Sequence, residues 1–261
     1  SDFKKATDTL IAVSKASLEN RFEYLVLPDY IEVFGLDHWD IAVPALKELT
    51  KSSTSEGAVR PFIIKDQARM LATMLEWTQD KDVHVRRLAS EGCRPRLPWM
   101  IALPALKKDP TPILPILEAL KNDPERYVQL SVANNLNDIA KDHPDLTLST
   151  AQKWKGTSKS TDWVVKHACR TLLKKGIPGA LRLFGFDDPK DIVISNLNLS
   201  TSSLKIGDKL LFKFNLNCKK PGRLRLEYVI DYVKASGKTS PKVFQIGERT
   251  QTKLNDTVKS T

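Results

Sequence analysis

The chain has 261 residues, 41% apolar and 28% charged, with 41 Lys and Arg against 31 Asp and Glu for a net charge of +10. That length and apolar share exclude a disordered chain and suffice for one large or two modest cores, while no apolar run approaches the roughly 20 residues of a membrane span. Three scattered cysteines, Cys93, Cys169 and Cys218, fit neither a disulfide framework nor a paired metal motif, so a reducing cytosol is the expected setting. No signal peptide opens the chain, and Ser1 in place of Met points to a fragment. The positive balance favours a polyanionic partner.

In chain order, residues 1 to 186 carry apolar side chains at helical spacing, interrupted by "KKDPTP" (Lys107 to Pro112), "KNDP" (Lys121 to Pro124) and "KDHPDL" (Lys141 to Leu146). Short helices joined by tight turns are expected there. "DVHVRRLASEG" from Asp82, "ERYVQLSVANNL" from Glu125 and "DWVVKHACRTLL" from Asp162 repeat one pattern. An acid is followed three residues on by a valine (Val85, Val128, Val165) and four further on by Ala89, Val132 or Cys169. The valines lie 43 and 37 residues apart, the period of a HEAT-like α-solenoid in which stacked helix pairs share a core. From residue 187 onward the chain alternates apolar and polar residues between Gly, Pro, Asn and Ser turns, as in "DKLLFKFNLN" and "GRLRLEYVIDYV". This predicts a small all-β, immunoglobulin-like sandwich over residues 187 to 261, joined by "DDPK" (Asp187 to Lys190) as linker. About five strands fit before Thr261 where a full sandwich has about seven, so further strands are expected beyond it. The β part holds 14 basic and 8 acidic side chains, a net +6.

One motif occurs twice: "SEGAVRPFI" from Ser55 and "SEGCRPRLPW" from Ser90, 35 residues apart. Projected at 100° per residue, Val128, Val132, Leu136 and Ile139 form a core stripe, and Tyr127, Ser131, Asn134 and Asp138 form a polar one. Glu91 follows Val85 by six residues, as Asn134 follows Val128. Glu91 therefore falls on the polar stripe and should approach Asp138 across neighbouring repeats, with Glu56 in the preceding equivalent place. Three carboxylates crowded on one surface of a basic protein are costly and are not required by fold stability, which points to working residues. The plainer alternative is that each glutamate caps a helix or pairs with Arg60, Arg94 or Arg96. Pro61 and Pro95 disfavour helix at the residues before them, so both motifs are expected to end helices, leaving each glutamate in a last turn against the macrodipole. Trp99 is placed to stack on a base or sugar, whereas Trp39, Trp77, Trp154 and Trp163 suit packing. His38, His84, His143 and His167 never pair at ligand spacing, and no Gly-rich phosphate loop or nucleophile motif occurs, so neither metal nor cofactor is expected.

"GLDHWDIAVPALKELT", "SEGAVRPFI", "HVRRLASEGCRPRLPW", "YVQLSVANNLNDIAKDHPD" and "GIPGALRLFGF" resemble the AlkC branch of the alkylpurine DNA glycosylases over roughly Phe22 to Phe186. The resemblance implies a bacterial, cytoplasmic base-excision repair enzyme, a monomer acting on alkylated duplex DNA. Its expected chemistry is hydrolysis of the N-glycosidic bond of cationic methylated bases such as 3-methyladenine and 3-methylcytosine. It implies Glu56 and Glu91 as catalytic acids, Asp138 in the same site and Trp99 beside the lesion. Arg60, Arg94, Arg96, Lys166, Arg170 and Lys174 are expected to grip phosphates. Gln129 and Leu130 stand where related sequences tend to be basic, which implies a weaker phosphate contact. In the β part, Pro221-Gly222 should turn a hairpin whose end gathers Lys219, Lys220, Arg223 and Arg225 for a second grip on the duplex. The competing reading is a non-enzymatic HEAT-repeat scaffold that uses the acidic stripe for recognition.

Overall fold

The computed structural model describes residues 2–16, 22–186, 192–251 and 255–260; the expected linker at Asp187 to Lys190 lies outside them. The chain divides into two compact units, Ser1–Leu172 and Leu173–Thr261. No helix among the described residues is long and apolar enough to cross a membrane.

The first unit is helical. It runs through α1 (Phe3–Ala16), a short 3-10 turn, α2 (Val26–Phe34), α3 (Trp39–Leu49), α4 (Arg60–Lys65), α5 (Gln67–Trp77) and α6 (Val83–Glu91). It continues through α7 (Pro104–Lys108), α8 (Leu114–Leu120), α9 (Arg126–Asp142), α10 (Pro144–Trp154), α11 (Lys159–Ala168) and into α12 (Arg170–Lys174). The proline-marked stops fall between α7 and α8, between α8 and α9, and between α9 and α10. Pro144 opens α10 at a position where its missing N–H costs nothing. Side-chain caps set three other starts: Asp66 accepts from the Arg69 amide for α5, Asp82 from His84 for α6, and Ser158 from Thr161 for α11. The third repeat is therefore shifted against the sequence register. Its Asp162 lies inside the first turn of α11 and accepts from the Gly156 amide at 2.6 Å.

Helix α9 packs on α6, α8, α10 and α11. Its Val128, Val132, Leu136 and Ile139 are buried together with Val85 and Ala89 of α6 and Val165 of α11. The polar stripe of α9 is solvated only at its start: Tyr127 is exposed, whereas Ser131 and Asp138 are buried and Asn134 accepts from Arg170 at 3.0 Å. Beside the stripe, Asn137 accepts from the Thr171 amide. The stripe is the seam by which α9 joins its neighbours, and burial of its polar atoms is offset by hydrogen bonds.

Among its described residues the second unit holds α13 (Pro178–Leu183) and five strands: β1 (Ile192–Leu199), β2 (Phe212–Cys218), β3 (Gly222–Val233), β4 (Thr239–Gln251) and β5 (Asn255–Ser260). They form two antiparallel sheets, β1-β2-β5 and β3-β4. Along β2, Phe214, Leu216 and Cys218 turn inward to meet Leu224 and Val258 in a small core, which is the period-2 alternation of the sequence made physical. Strands β2 and β3 lie in different sheets. Pro221-Gly222 therefore turns a crossing between sheets and not a hairpin.

Candidate active site

Glu91 is the last residue of α6, as its motif requires. Glu56 is not its structural equivalent, because the first motif opens a helix where the second closes one. Residues 56 to 59 turn into α4, which begins at Arg60 with Pro61 in its first turn. Proline disfavours helix at the residue before it without forbidding it, and it fits the N-terminus of a helix well, so α4 takes Arg60 as its first residue. The macrodipole thus disfavours charge at Glu91 and favours it at Glu56.

The three acids nevertheless converge through cations. Arg87 Nη1 lies 2.6 Å from Glu56 Oε2, and Arg87 Nη2 lies 3.6 Å from Glu91 Oε1. Arg94 donates from Nη1 to Glu91 Oε1 at 2.6 Å and from Nε to Asp138 Oδ2 at 2.8 Å. Lys141 Nζ donates to Asp138 Oδ1 at 2.9 Å. The result is a ladder, Glu56–Arg87–Glu91–Arg94–Asp138–Lys141, in which three negative groups alternate with three positive ones. Glu91 and Asp138 are 5% and 2% exposed, and the alternation is what makes such crowding tolerable. Burial works against the Arg94 charge, yet Glu91 and Asp138 together hold its guanidinium above the ordinary arginine range.

Beside the ladder opens a cleft of about 580 Å³ lined by Glu56, His84, Arg87, Trp99, Met100 and Tyr127 among others. Arg87 stands between this cleft and Glu91, with its guanidinium 4.8 Å from the centre of the Tyr127 ring. Burial raises the Tyr127 hydroxyl above its usual range. Trp99 is fully exposed, at 100%, and has φ of 64°. A bulky side chain in that left-handed region costs of the order of 1–3 kcal/mol, a strain that gathers at functional sites. Trp77 and Trp154 are buried, whereas Trp39 and Trp163 are partly covered beneath Arg69 and Arg126.

The cations sort differently from their expected roles. Arg60 is 0% exposed and cannot reach a phosphate. Its Nε donates to the Ile101 carbonyl at 2.5 Å and its Nη1 to those of Gly92 and Arg94 at 2.9 Å, so it ties both ends of the loop that carries Trp99. Burial pulls its pKa down to about 10. Arg94 is likewise buried in the ladder. Arg96 holds Asp142 through both Nε and Nη2, and half-buried Arg170 donates to Asn134 and to the His167 carbonyl. Lys166 and Lys174 are exposed. Gln129 is buried and donates to the Asp123 carbonyl, while Leu130 is exposed. In the second unit Lys219 and Lys220 are exposed, but Arg223 donates to the Phe184 carbonyl and to Glu248. Arg225 is engaged by Glu227 and Glu248. Sequence reasoning missed Arg87, whose signal was available: it lies one helical turn before Glu91.

The helical unit thus gathers alternating acids and bases beside a cleft that an exposed, strained tryptophan also lines. The chain belongs to the DNA alkylation repair enzyme family: residues 43–172 match the family model of that description. Residues 193–260 match a second, "Uncharacterised protein YhaZ, C-terminal Ig-like domain". Over 233 residues the chain is 50% identical to YhaZ of Bacillus subtilis (strain 168), spanning 89% of itself and 65% of that relative. It is similar, at 36% identity and a TM-score of 0.92, to the alkylpurine DNA glycosylase AlkC of Pseudomonas fluorescens solved bound to DNA containing an abasic site analog. That likeness covers 100% of this chain and 73% of the other. A further likeness, to AlkD2 of Streptococcus mutans, has 25% identity and a TM-score of 0.49 over 65% of this chain and 83% of that one.

Proposed function

We propose that the chain is a DNA glycosylase built on HEAT-like repeats, removing cationic N-methylated bases such as 3-methyladenine and 3-methylcytosine from duplex DNA. It would act in base-excision repair in the bacterial cytoplasm, as a monomer and without metal or cofactor. The observation that carries this reading is the placement of Glu56, Arg87 and the exposed Trp99 around one open cleft, with Glu91 and Asp138 directly behind. A base methylated on a ring nitrogen is already a good leaving group. What its hydrolysis needs is stabilisation of positive charge as it moves onto the deoxyribose, which preorganised carboxylates provide.

In this account Glu56 faces the sugar first, and Arg87 moves off Glu91 as the cationic nucleotide arrives, exposing the second carboxylate. Asp138, engaged on both oxygens, orients Arg94 and helps hold the attacking water. Trp99 wedges or stacks at the lesion, so an open cleft can serve where other glycosylases flip a base into a deep pocket. Lys166 and Arg170 hold phosphates from the first unit, with Lys174, Lys219 and Lys220 adding contacts from the second. The completeness of the ladder's ion pairs is what favours the alternative of a non-enzymatic scaffold. The two readings part on one assay: release of free methylated base from methylated duplex DNA with no metal added, which a scaffold cannot produce.

A further inference from the structure

Glu91 holds a contact that the charge ladder does not explain. Ser131, buried on α9, donates to Glu91 Oε2 at 2.6 Å, and its oxygen lies 2.6 Å from Ser90 Oγ. Ser90 Oγ in turn has the Arg87 carbonyl as an acceptor at 3.1 Å. Each hydroxyl has one hydrogen to give, so the direction of the chain follows from the state of the carboxyl. With Glu91 ionised, Ser131 donates to Glu91 and Ser90 donates to Ser131. With Glu91 protonated, the acid donates to Ser131, Ser131 donates to Ser90, and Ser90 donates to the Arg87 carbonyl. Every buried hydroxyl hydrogen has an acceptor in both directions.

A carboxylate needed only as a fixed negative charge requires a donor, and the Arg94 guanidinium already supplies one. A chain that also satisfies the neutral acid is useful where the group changes protonation state. Resting on the glycosylase reading, we propose that Glu91 takes the proton of the attacking water, and that Ser131 and Ser90 are positioning residues whose hydroxyls reverse together as it does so. In that step the water oxygen bonds to C1′ of the sugar and the bond from C1′ to the base nitrogen breaks. Its electron pair leaves with the base and cancels the base's positive charge, and one water hydrogen passes to Glu91, later lost to solvent. Water bonded to an oxocarbenium-like carbon is strongly acidic, so a weak base such as a paired carboxylate suffices. Asp138 is less suited to the task, because cations, Arg94 and Lys141, hold both of its oxygens, whereas one oxygen of Glu91 is held by a neutral hydroxyl that can turn from donor to acceptor. The charged and titratable groups around Glu91 are Arg87 and Arg94 in contact, the Tyr127 hydroxyl and Cys93 thiol near them, and Glu56, Arg60, Asp138, Lys141 and Arg170 beyond.

The two serines make opposite predictions. Ser131→Ala removes a donor from the ionised carboxylate, which favours the protonated form, so the acid limb of the pH–rate profile moves to higher pH. Ser90→Ala removes the acceptor Ser131 needs when Glu91 is protonated. That form is penalised, and the acid limb moves to lower pH, because a stranded buried hydroxyl outweighs the lost polarisation of the chain. Single-turnover release of methylated base from methylated duplex DNA, followed across pH, reads both. The expected result is opposite displacement of the two limbs, with release by Ser90→Ala slowed roughly tenfold on the plateau. Duplex affinity and melting temperature should remain close to wild type, which separates the effect from misfolding. Base release by the wild type, with the two limbs unmoved or moved the same way, overturns this inference alone; no release by the wild type overturns the glycosylase reading and this inference with it.

Discussion

Glu91 sits at a junction: the end of α6 places it, Arg94 and Ser131 hold its two oxygens, and Arg87 stands between it and the cleft. Glu91→Gln keeps the shape and removes the charge. It is expected to lower base release by roughly 10²-fold or more while leaving duplex affinity within a few fold. Glu56→Gln and Asp138→Asn should also lose activity, and double mutants should lose less than the sum if all act on one transition state. Trp99→Ala should weaken discrimination for damaged sites more than binding to undamaged duplex, as titrations on both DNAs would measure. Equal losses would make Trp99 a general contact. The acids and the tryptophan were legible because helical spacing and a duplicated motif point at them. The parts of Arg87 and Ser131 were harder to read: Arg87 lies a visible helical turn before Glu91 and Ser131 on the polar stripe, but an arginine on a basic chain and a serine on such a stripe look like ordinary solvated residues until a neighbouring helix covers them.

At the scale of elements, the repeated Ser-Glu-Gly has two different physical reasons for its glycine. A Cβ on Gly92 would lie 2.6 Å from Val59 Cγ2 and 2.9 Å from Met74 Cε. One on Gly57 would meet the Met100 side chain first, and its flexible thioether can move aside. Gly92→Ala is therefore expected to destabilise by about 1–3 kcal/mol and Gly57→Ala by much less, as denaturant unfolding would measure. Arg60 joins the two motifs by taking the carbonyls of Gly92, Arg94 and Ile101. Arg60→Ala strands all three and is expected to cost about 3–5 kcal/mol and loosen the Trp99 loop. The duplication made both motifs visible as sequence. It did not reveal that one opens a helix and the other closes one, since Arg-Pro is compatible with either and only the flanking turn decides. The hairpin expected at Pro221-Gly222 failed for a similar reason: a strong turn signal fixes a reversal and not the sheet to which the next strand returns.

Across the whole molecule, the change of hydrophobic period from helical to alternating was plain in the sequence, because each period is imposed by the geometry of the element that carries it. Which cations a carboxylate holds was not, since ion pairing is decided by contacts distant in sequence: Arg223 and Arg225 are engaged by Glu248, and Arg96 by Asp142. If Lys219 and Lys220 each meet a phosphate, replacing both with Ala should weaken duplex binding and flatten its salt dependence by about two units of slope. The chemical step at saturating enzyme should stay near wild type. Unchanged affinity and slope would leave the second unit without a part in DNA binding. The proposed reaction turns on Glu91. The most direct test is mass-spectrometric detection of free methylated base after single-turnover incubation of wild type and Glu91→Gln with methylated duplex DNA. It should find 3-methyladenine or 3-methylcytosine released by the wild type and almost none by the variant; no release by the wild type, or equal release by both, would contradict it.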